Sequence, residues 1–582
     1  MQLFRISIAI PLSLLMMTTA LFAQQSSQAI RLNQAGFYTK GPKQAVIMGS
    51  ARAKFYIIST TLQDTVFAGV SGEELSSAIS DVHTSIADFS RLTVEGRFVL
   101  AVPGVGVSYP FDIKGNVHAA AFTAAMKSYY FMRASTPVTD GYAGKWSRAG
   151  GHPDTLVQVH PSAASVLRPA GSIISSPGGW YDAGDYNKYI VNSGITMATL
   201  FSLYEDFPVF IKAQALNIPA DEAAVPAYLR ELLWNLRWML SMQDPADGGV
   251  YHKLTNAQFD GVVMPAAAIK PRYVVAKSTA ATLDFAAVTA QAARILKAYE
   301  AALPGLSDSC RAAAIAAWQW ARQHPAVLYE QEKMNLSFAQ AIKTGAYGDG
   351  NVSDEFSWAA TELSVTTGLD SFYAAVPHND KLAIPNWSHV SSLGYYTMIR
   401  HARHLPKSMK REARILKRQL LAAARDLMMD AAKQGYGTVM GKNARDFVWG
   451  SNSVAANQGV LLIQAFRLKK RSSYMAAAVA NMDYLLGRNG TGYCFLTGFG
   501  TRSPMHPHHR LSEADNVIAP IPGLLVGGPN PGMQDKCQYP STIPDQCYID
   551  AFCSYASNEV AINWNAPFVY LAGALEALWE DR

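Results

Sequence analysis

The spacing of apolar residues changes once along the chain, near residue 114. Over residues 30–113, apolar and polar residues alternate, or apolar residues form short runs separated by turn-forming residues. Several short strands at a spacing of about ten residues are typical of a β-sandwich. We therefore predict a small all-β, immunoglobulin-like sandwich domain over residues 24–114. The region lacks the paired cysteines of antibody domains, which bears only on the subtype.

After residue 114 the apolar residues recur three and four positions apart, the spacing of amphipathic helices. Strand candidates are nearly absent from this region. The segments of helix length are 119–133, 193–205, 227–243, 279–300, 310–324, 353–367, 389–403, 410–432, 453–468, 471–486 and 559–580. They predict an all-α domain over residues 115–582, arranged as a barrel of paired helices. The longest connection, 487–557, is too long to be a simple linker and is expected to carry function.

Composition describes a globular protein with 49% hydrophobic and 16% charged residues. At 582 residues the chain exceeds what one core usually supports, which favours one large and one small domain. The net charge of +6 is spread along the sequence. Its densest basic segment, 410–418, falls in a helical pattern typical of a solvated face, so no nucleic-acid partner is expected.

The first 23 residues have the features of a secretory signal peptide. Arg5 precedes an apolar run over residues 6–15, and the segment 20–23 begins and ends with the small residue alanine. The apolar run is too short for a membrane span. We therefore expect cleavage of residues 1–23, no membrane span, and a secreted or periplasmic protein.

Five cysteines follow the predicted cleavage site: Cys310, Cys494, Cys537, Cys547 and Cys553. An oxidising compartment permits disulfides, and the last three can supply one. The odd count leaves at least one free thiol or an intermolecular bond. The spacing does not match a zinc site.

Two aspartates lie three positions apart in the glycine- and aromatic-rich segment 178–189. This spacing places Asp182 and Asp185 on one side of a turn, where neighbouring glycines let a ligand approach the backbone. Two carboxylates so close do not readily ionise together, and a water held between them becomes a good nucleophile. A capping or calcium-binding pair is the alternative that the residues leave open.

A third carboxylate, Glu559, lies among apolar and amide residues in the segment 558–566. Such surroundings favour the protonated form, while a position at a helix N-terminus would favour the charged one, and both effects can act. Hydrolysis of the acetal bond between sugars needs an ionised base and a protonated acid in one site. The three carboxylates therefore predict a glycosidase.

Three histidines and an arginine lie within five residues, as His506, His508, His509 and Arg510. Irregular ligand spacing and the adjacent arginine favour hydrogen bonding to sugar hydroxyls over metal binding. In an extended segment, His508 and Arg510 would point the same way. A metal-storage or metal-sensing surface protein is the rival hypothesis, and it leaves the carboxylate motifs unexplained.

Aromatic residues in the same loops suit a groove for an oligosaccharide, because sugar C–H faces stack on aromatic rings. Each alone is more typical of a core residue. The candidates, taken as exposed, are Trp180, Tyr181, Tyr347, Trp387, Trp449, Tyr548 and Trp564.

These segments resemble glycoside hydrolase family 9, the inverting cellulases, over essentially the whole mature chain. The resemblance is carried by the Asp-Ala-Gly-Asp motif at 182–185, by the run 495–510, and by a C-terminal pattern. That pattern consists of Tyr548, Asp550, Tyr555, Glu559, Ala561, Asn565 and Ala566. Further similar segments are 248–253, 277–285, 354–358 and 449–452, and residues 30–36 resemble the immunoglobulin-like module that often precedes this catalytic domain.

The resemblance implies an (α/α)6 barrel with an open cleft, and hydrolysis of internal β-1,4-glucosidic bonds in cellulose or related β-glucans with inversion of configuration. It implies that Asp185 is the catalytic base, that Asp182 helps to hold the attacking water, and that Glu559 is the general acid. Asp550 is a further carboxylate of the C-terminal signature. The chemistry requires no cofactor.

The resemblance also implies substrate-binding residues. His508 and Arg510 would bind hydroxyls beside the scissile bond, with His252 nearby, and Trp449 and Trp387 would stack on sugar rings. Trp564 stands where a tyrosine is common, so its subsite is expected to favour a different ring or decoration. The family often holds a structural calcium ion, which implies Asp354 and Glu355 as ligands here, with carbonyl groups around residues 350 and 351.

Alternatives remain within and outside this interpretation. Within the family, the alternative to internal cleavage of cellulose is an enzyme that is exo-acting, or one that prefers xyloglucan or amino-sugar chains. A catalytically silent glycan-binding protein is the alternative from another class, and it has no need of all three carboxylates. We expect a monomer whose partner is a β-glucan polysaccharide or oligosaccharide.

Overall fold

The computed structural model describes residues 26–77, 79–378 and 381–580. The predicted signal peptide, residues 1–23, lies outside the described residues. Within the described ranges, no helix has the length and apolar character needed to cross a membrane.

The N-terminal part of the described chain forms short strands in two sheets that share one hydrophobic core. One sheet has the order β1-β2-β6-β5, and the other β4-β3-β7-β8, with β9 also paired to β7. Alternate apolar residues of both sheets are buried against each other, which confirms the predicted sandwich. The strands are Ile30–Arg31 (β1), Gln44–Met48 (β2), Lys54–Ser59 (β3), Thr65–Val70 (β4), Leu75–Ser76 (β5), His83–Asp88 (β6), Gly96–Val102 (β7), Gly106–Val107 (β8) and Phe111–Ile113 (β9).

Helices dominate the chain after the sandwich. They are Ala119–Phe131 (α1), Asp140–Ala143 (α2), Ile190–Asp206 (α3), Pro208–Ala213 (α4), Ala227–Ser241 (α5), Thr279–Leu296 (α6), Leu306–Gln323 (α7), Gln331–Ser337 (α8), Ser353–Thr367 (α9), Ser371–Ala374 (α10), Ser391–Arg400 (α11), Lys407–Met428 (α12), Ser451–Leu468 (α13), Ser472–Leu485 (α14), Arg510–Ala514 (α15), Tyr555–Asn558 (α16) and Ile562–Glu580 (α17). Each predicted helical segment coincides with one of these helices, with its ends shifted by a few residues.

Six helices form an inner ring, and others pack on its outside. In the inner ring α17 contacts α3, α3 contacts α6, α6 contacts α9, and α9 contacts α11, while α13 contacts α17. On the outside, α1 packs on α17, α5 on α3, α7 on α6, α10 on α9 and α14 on α13. The remaining outer helix, α12, packs on both α11 and α13. This arrangement confirms the predicted barrel of paired helices.

The difference between inner and outer helices follows from their residues. Every residue of α6 except Arg294 is buried, because this inner helix is enclosed on all sides. The outer helix α12 buries only a stripe at positions three or four apart and exposes its basic residues. The basic segment predicted to be a solvated face therefore lies on the outside of the barrel.

A small sheet within the helical domain was not predicted. Its strands are Val157–Val159 (β10), Ile173–Ile174 (β11), Lys188–Tyr189 (β12), Lys253–Asn256 (β13) and Arg272–Val274 (β14), in the order β11-β10-β14-β13-β12. The expectation that strands are nearly absent here is wrong. Strands of two to four residues are too short to produce a recognisable alternation. The strand β12 directly follows the segment that carries the two aspartates.

The sandwich packs firmly on the barrel. Tyr38 stacks on Trp579 of α17 with ring centroids 4.2 Å apart, and its hydroxyl donates to Glu576 at 2.7 Å. Asn33 donates to Oδ1 of Asp483 on α14 at 2.8 Å. These buried polar contacts fix the orientation of the two parts.

Candidate active site

The two aspartates lie on a tight turn before β12. The backbone N–H of Asp182 donates to the carbonyl of Asn187 at 3.0 Å, which closes the turn, and its own carbonyl accepts from Ile562 N at 2.8 Å. A Cβ atom at Gly184 would lie 2.2 Å from the carbonyl oxygen of His508, so only glycine allows this approach. The turn therefore contacts both the first residue of α17 and the segment that carries the histidines.

Asp182 is buried and held by side-chain donors. Asn192 Nδ2 donates to both carboxylate oxygens at 2.9 and 3.0 Å, and the hydroxyl of Tyr347 donates to Oδ2 at 2.9 Å. Burial, followed by the negative charge of Asp185, raises the pKa of Asp182 to about 8 against the opposing effect of these hydrogen bonds. Asp182 therefore keeps its proton at neutral pH.

Asp185 is only 6% exposed and, among the described residues, accepts hydrogen bonds at one of its two oxygens. Asn187 Nδ2 and the Tyr189 hydroxyl both donate to Oδ2, the latter at 3.3 Å. Because both donors use Oδ2, Oδ1 is the oxygen left to receive a proton from a bound water. This geometry suits a general base.

Glu559 lies in an extended segment between α16 and α17. It was predicted to be the first residue of the last helix, but that helix, α17, begins three residues later. Its backbone pairs in parallel with His508, and its carbonyl accepts from Gly527 N at 2.8 Å. Its Oε1 accepts from the N–H of Gly184, in the aspartate turn, at 3.4 Å. Burial, followed by the charge of Asp185, raises the pKa of Glu559 well above its usual value. The structure thus brings the three predicted carboxylates together, with Glu559 in its protonated form.

His508 and Arg510 both lie beside the aspartate turn. His508 Nδ1 donates to the carbonyl of Phe552 at 2.6 Å, and this assigns the proton to Nδ1 and leaves Nε2 for a ligand. Burial lowers the pKa of His508, which favours its neutral form. Arg510 donates to the carbonyl of Gly184 from Nη1 at 2.8 Å and to that of Asp260 from Nε at 3.0 Å.

The other two histidines of this segment point elsewhere. His506 is exposed, whereas His509 is buried and its Nδ1 contacts Ser512 Oγ at 2.9 Å. Across the described ranges, no group of three or more His, Cys, Asp and Glu side chains is arranged to hold a metal ion. The histidine segment therefore contributes one ring, that of His508, to the carboxylate site.

Asp550 fixes the position of the histidine segment. Its carboxylate accepts from the backbone N–H groups of Met505 and His506 at 2.8 and 2.9 Å, and from Asn558 Nδ2 at 3.1 Å. Asn558 immediately precedes Glu559. Asp550 thus links the histidine segment to the segment of the general-acid candidate.

His252 is not placed to contact a sugar, which corrects the prediction that it binds substrate. Its ring is fully buried and stacked on Tyr329 with centroids 4.0 Å apart. Nδ1 contacts Ser278 Oγ at 2.8 Å and Nε2 contacts the carbonyl of Ala346 at 2.9 Å, so both ring nitrogens are used. His252 instead positions the backbone immediately before Tyr347.

Tyr347 is the residue whose role the sequence did not reveal. Its backbone has a φ of 48°, an unusual conformation for a non-glycine residue, and its hydroxyl reaches Asp182. Its ring packs edge-on against Trp387, with centroids 5.4 Å apart. Sequence reasoning identified Tyr347 only as one of a set of aromatic residues, because its partner lies 165 positions away.

Trp387 and Trp449 lie in loops around the site, and their rings are partly exposed. Trp449 is 42% exposed and lies 5.4 Å from the ring of Tyr555, while Trp387 is half-buried. Trp564 is half-buried, and a Cβ atom at Gly450 would meet its Nε1 at 2.5 Å. Trp564 therefore packs directly beneath the backbone that carries Trp449.

Three of the aromatic residues predicted to be exposed are buried. Trp180 donates from its ring N–H to Glu231 at 3.0 Å, and the Tyr181 hydroxyl contacts His152 Nδ1 at 2.8 Å. The hydroxyl of Tyr548 donates to Asn558 Oδ1 at 2.6 Å. Aromatic composition alone did not separate rings with buried polar partners from rings that line the cleft.

A disulfide bond joins Cys537 and Cys553, and this pairing comes from the cysteine cluster that was predicted to supply one. Cys310, Cys494 and Cys547 are free and buried. Cys553 directly follows Phe552, whose carbonyl accepts from His508. The disulfide therefore restrains the segment that orients this histidine.

The calcium candidates lie at the start of α9. Asp354 accepts from Val390 N at 2.7 Å, whereas both oxygens of Glu355 are buried without a hydrogen-bond partner in the described residues. Both oxygens of Asp284 are likewise buried and unpaired there, and burial, followed by the charge of Asp284, raises the pKa of Glu355. Carboxylates are the donors that calcium prefers, so Asp354 and Glu355 fit the ion by their chemistry. Since no three acidic side chains of the described ranges are arranged to hold a metal ion, backbone carbonyls would have to complete the coordination.

The helical barrel and its carboxylate site define a glycoside hydrolase, and comparison with known proteins agrees. Residues 118–572 match Glycosyl hydrolase family 9, and residues 25–107 match the cellulase N-terminal ig-like domain. The chain belongs to glycosyl hydrolase family 9 and is a glycoside hydrolase.

Related proteins match over nearly the whole chain. A xyloglucan-specific endo-beta-1,4-glucanase of Bacteroides ovatus is 46% identical over 95% of this chain and 94% of its own length. Endoglucanase D of Acetivibrio thermocellus is 33% identical, covering 94% and 84% respectively. The solved structure of a Bacteroides ovatus GH9 protein superposes with a TM-score of 0.90 at 44% identity, covering 95% of this chain and 99% of that one.

Proposed function

We propose that Asp182 and Asp185 hold a water that attacks the anomeric carbon of a β-1,4-glucan while Glu559 protonates the leaving oxygen. Asp185 accepts the proton of the water as the new C–O bond forms. The glycosidic C–O bond breaks, and the proton of Glu559 passes to the leaving hydroxyl. A single displacement of this kind inverts the configuration at the anomeric carbon.

The observation that carries this proposal is the meeting of the three carboxylates at one turn, where Oε1 of Glu559 accepts from Gly184 N between Asp182 and Asp185. Glu559 has a raised pKa and meets the aspartate turn at Gly184 N, so a proton donor lies next to the carboxylate pair. Oδ1 of Asp185 is left for a water, while Asp182 keeps its own proton and does not compete as a base. His508 Nε2 and Arg510 lie beside the same turn, where they would bind hydroxyls of the sugar next to the scissile bond.

We infer that the substrate is cellulose or a related β-glucan cut internally, with Trp449 and Trp387 as stacking platforms. The similarity to a xyloglucan-specific enzyme supports a branched glucan as a candidate alongside unbranched cellulose. Exo-acting cleavage and amino-sugar chains remain alternatives of the same family. A silent glycan-binding role has no use for three converging carboxylates.

The test is hydrolysis of carboxymethylcellulose, xyloglucan, chitosan and cellohexaose by the purified mature protein, followed by viscosity and reducing ends. A rapid fall in viscosity on one β-glucan supports internal cleavage and identifies the backbone. Release of short products with unchanged viscosity would show that the enzyme cleaves from the chain ends and not internally. An Asp185→Asn variant that folds and keeps near-normal turnover would contradict the assignment of the base.

We also propose that Asp354 and Glu355 hold a structural calcium ion, supported by the unpaired carboxylates of Glu355 and Asp284. Calcium would offset the repulsion between these buried acids and stabilise the start of α9. Differential scanning calorimetry with EDTA and with added calcium tests this. An unfolding temperature that is the same in both conditions would contradict it.

Export and oligomeric state complete the proposal. A cleaved signal peptide over residues 1–23 would deliver the chain to the periplasm or the medium, and the disulfide between Cys537 and Cys553 is consistent with an oxidising compartment. N-terminal sequencing of the exported protein should begin at Gln24. Light scattering should give the mass of a monomer with a sandwich over residues 24–114 and a barrel over 115–582.

A further inference from the structure

Asn187 is a buried amide with a fixed orientation beside the proposed base. It is 1% exposed, and its Nδ2 donates to Oδ2 of Asp185. Its Oδ1 accepts from the backbone N–H of Asn256, on β13, at 2.9 Å. Because a backbone N–H only donates, the amide oxygen must face Asn256 and the amide nitrogen must face Asp185. The strand β13 therefore decides which group Asn187 presents to the base.

Buried side chains of the small sheet and of a neighbouring loop hold Asn187 in this position. The hydroxyl of Thr255 donates to Oδ1 of Asn187 at 3.0 Å and lies 2.6 Å from the hydroxyl of Thr344. Thr344 in turn accepts from Lys253 Nζ at 3.1 Å. Thr255, Thr344 and Lys253 are all buried. The position of Asn187 is therefore set by the protein and not by solvent.

Lys253 also supports the second donor to the base. Its Nζ donates to Oε1 of Gln331 at 2.7 Å and to the carbonyl of Gly345 at 2.6 Å. It lies 5.5 Å from the ring centre of Tyr189, whose hydroxyl donates to Oδ2 of Asp185. Burial lowers the pKa of Lys253, and the charge of Asp185 opposes this effect. Both side chains that donate to Oδ2 therefore contact one buried network.

We propose that Asn187 is a positioning residue for the base: by donating to Oδ2 it favours the ionised carboxylate of Asp185 and directs Oδ1 to the attacking water. A carboxylate offers two equivalent oxygens, and only a fixed donor makes them different. An N–H donor also stabilises the charged form of the acid that it contacts. The inference rests on the proposed reaction, in which Asp185 is the base.

Substitution of Asn187 tests this role by kinetics. In Asn187→Ala, kcat on cellohexaose should fall about 10- to 100-fold, as loss of a hydrogen bond to a charged group predicts. KM should change less than twofold, because Asn187 is buried beneath the turn and does not contact the sugar. Equal kcat in Asn187→Ala and wild type would overturn the proposal.

The pH profile separates a positioning role from a general loss of structure. Without its donor the carboxylate keeps its proton to higher pH, so the fall of kcat at acidic pH should move upward by about one unit. A purely structural loss lowers kcat without this movement, and an unmoved profile would overturn the proposal. The substitution retains the charged and titratable groups that surround Asp185 among the described residues, which are Asp182, Tyr189, Lys253, Tyr347, His508, Arg510 and Glu559.

Substitution of Thr255 tests the network with a smaller change. Thr255→Val keeps the size of the side chain but removes the hydroxyl that holds Asn187, so kcat should fall about 3- to 5-fold. Thr255→Ser keeps the hydroxyl and should retain the wild-type kcat. Equal kcat in the valine and serine variants would overturn the part of the proposal in which the small sheet orients Asn187.

Asn33→Ala is the matched control. Asn33 is also buried, its Oδ1 accepts from the backbone N–H groups of Ala35 and Gly36, and its Nδ2 donates to Asp483. This contact joins the sandwich to α14, so the variant should lose thermal stability but keep kcat and the acidic part of the pH profile. A comparable fall of kcat in Asn33→Ala would show that loss of any buried amide lowers activity, and would overturn the assignment to Asn187.

The Asp185→Asn background separates failure of this proposal from failure of the proposed function. If Asn187 acts through Asp185, adding Asn187→Ala to Asp185→Asn should lower the residual rate less than twofold. A further loss as large as that in the wild-type background would overturn the positioning role and leave Asp185 as the base. Near-normal turnover of Asp185→Asn alone would instead overturn the proposed base, and the positioning role with it.

Discussion

The hydroxyl of Tyr347 donates a hydrogen bond of 2.9 Å to Oδ2 of Asp182, across 165 positions of sequence. The same ring packs edge-on against Trp387, a proposed platform for a sugar ring. Tyr347 therefore joins Trp387 to Asp182, the carboxylate that we propose helps to hold the water.

Replacing Tyr347 with phenylalanine should lower kcat about 10-fold with a smaller change in KM, because Asp182 loses a donor but the platform remains. The hydrogen bond from Tyr347 lowers the pKa of Asp182, so its loss should raise that pKa further. Tyr396→Phe is the control, since its buried hydroxyl has no hydrogen-bond partner among the described residues. Unchanged kcat in Tyr347→Phe would show that the contact is only structural.

Asp182→Asn should stabilise the fold at neutral pH while lowering activity. An unfolded aspartate ionises above pH about 3.9, whereas the folded side chain keeps its proton up to about 8. Between these values folding takes up a proton, so stability falls as pH rises, and asparagine removes this dependence.

Urea unfolding of the two proteins measures this effect. The variant should be more stable by a few kcal/mol at pH 7, and the gain should vanish near pH 4. Its kcat should fall about 10²-fold or more, since it holds the water less well. A variant that is less stable than wild type at pH 7 would show that Asp182 is ionised in the folded protein.

The loss of activity at alkaline pH should follow the titration of Glu559. Its pKa is raised well above the ordinary glutamate value, so it donates a proton at neutral pH and loses activity only as pH rises through the raised value. Glu559→Gln should lower kcat on β-glucans about 10²–10⁴-fold and remove the alkaline limb.

An activated substrate provides the control for Glu559. A 2,4-dinitrophenyl cellobioside has a leaving group that needs no protonation, so Glu559→Gln should hydrolyse it at a rate close to that of the wild type. Equal losses on this substrate and on the polymer would assign Glu559 a role other than proton donation.

Removing the disulfide between Cys537 and Cys553 should affect both stability and substrate binding. The closed loop spans a sequence separation of 16, for which chain entropy predicts a loss of about 3 kcal/mol. Because the Phe552 carbonyl orients His508, a double serine variant should also show a raised KM. Reduction by dithiothreitol should mimic the variant in wild type and have no effect on the variant itself. Wild-type KM in the variant would show that the loop is held by other contacts.

The sequence was sufficient to predict the elements with long, regular patterns. The inner helix α6 and the sandwich strand β7 both follow from the spacing of their apolar residues. The carboxylates were recognised because Asp182 and Asp185 lie three positions apart in one segment and Glu559 lies in a distinctive motif. Local patterns and motifs needed no knowledge of the three-dimensional contacts.

Features that depend on distant contacts were not predicted. The small sheet around β13 has strands too short for periodicity, and Tyr347 becomes significant only through Asp182. His252 was assigned to substrate binding, but its ring nitrogens are used by Ser278 and the carbonyl of Ala346. Burial of a polar side chain is decided by packing of the whole domain, which a single motif does not encode.

The most direct test of the account is the anomeric configuration of the first product, followed by proton NMR during hydrolysis of cellohexaose or the preferred oligosaccharide. A single displacement by the water held at Asp182 and Asp185 predicts that the α-anomer appears first and then mutarotates to the equilibrium mixture. Initial release of the β-anomer would mean a double displacement with a covalent intermediate, and it would contradict the roles assigned to Asp185 and Glu559.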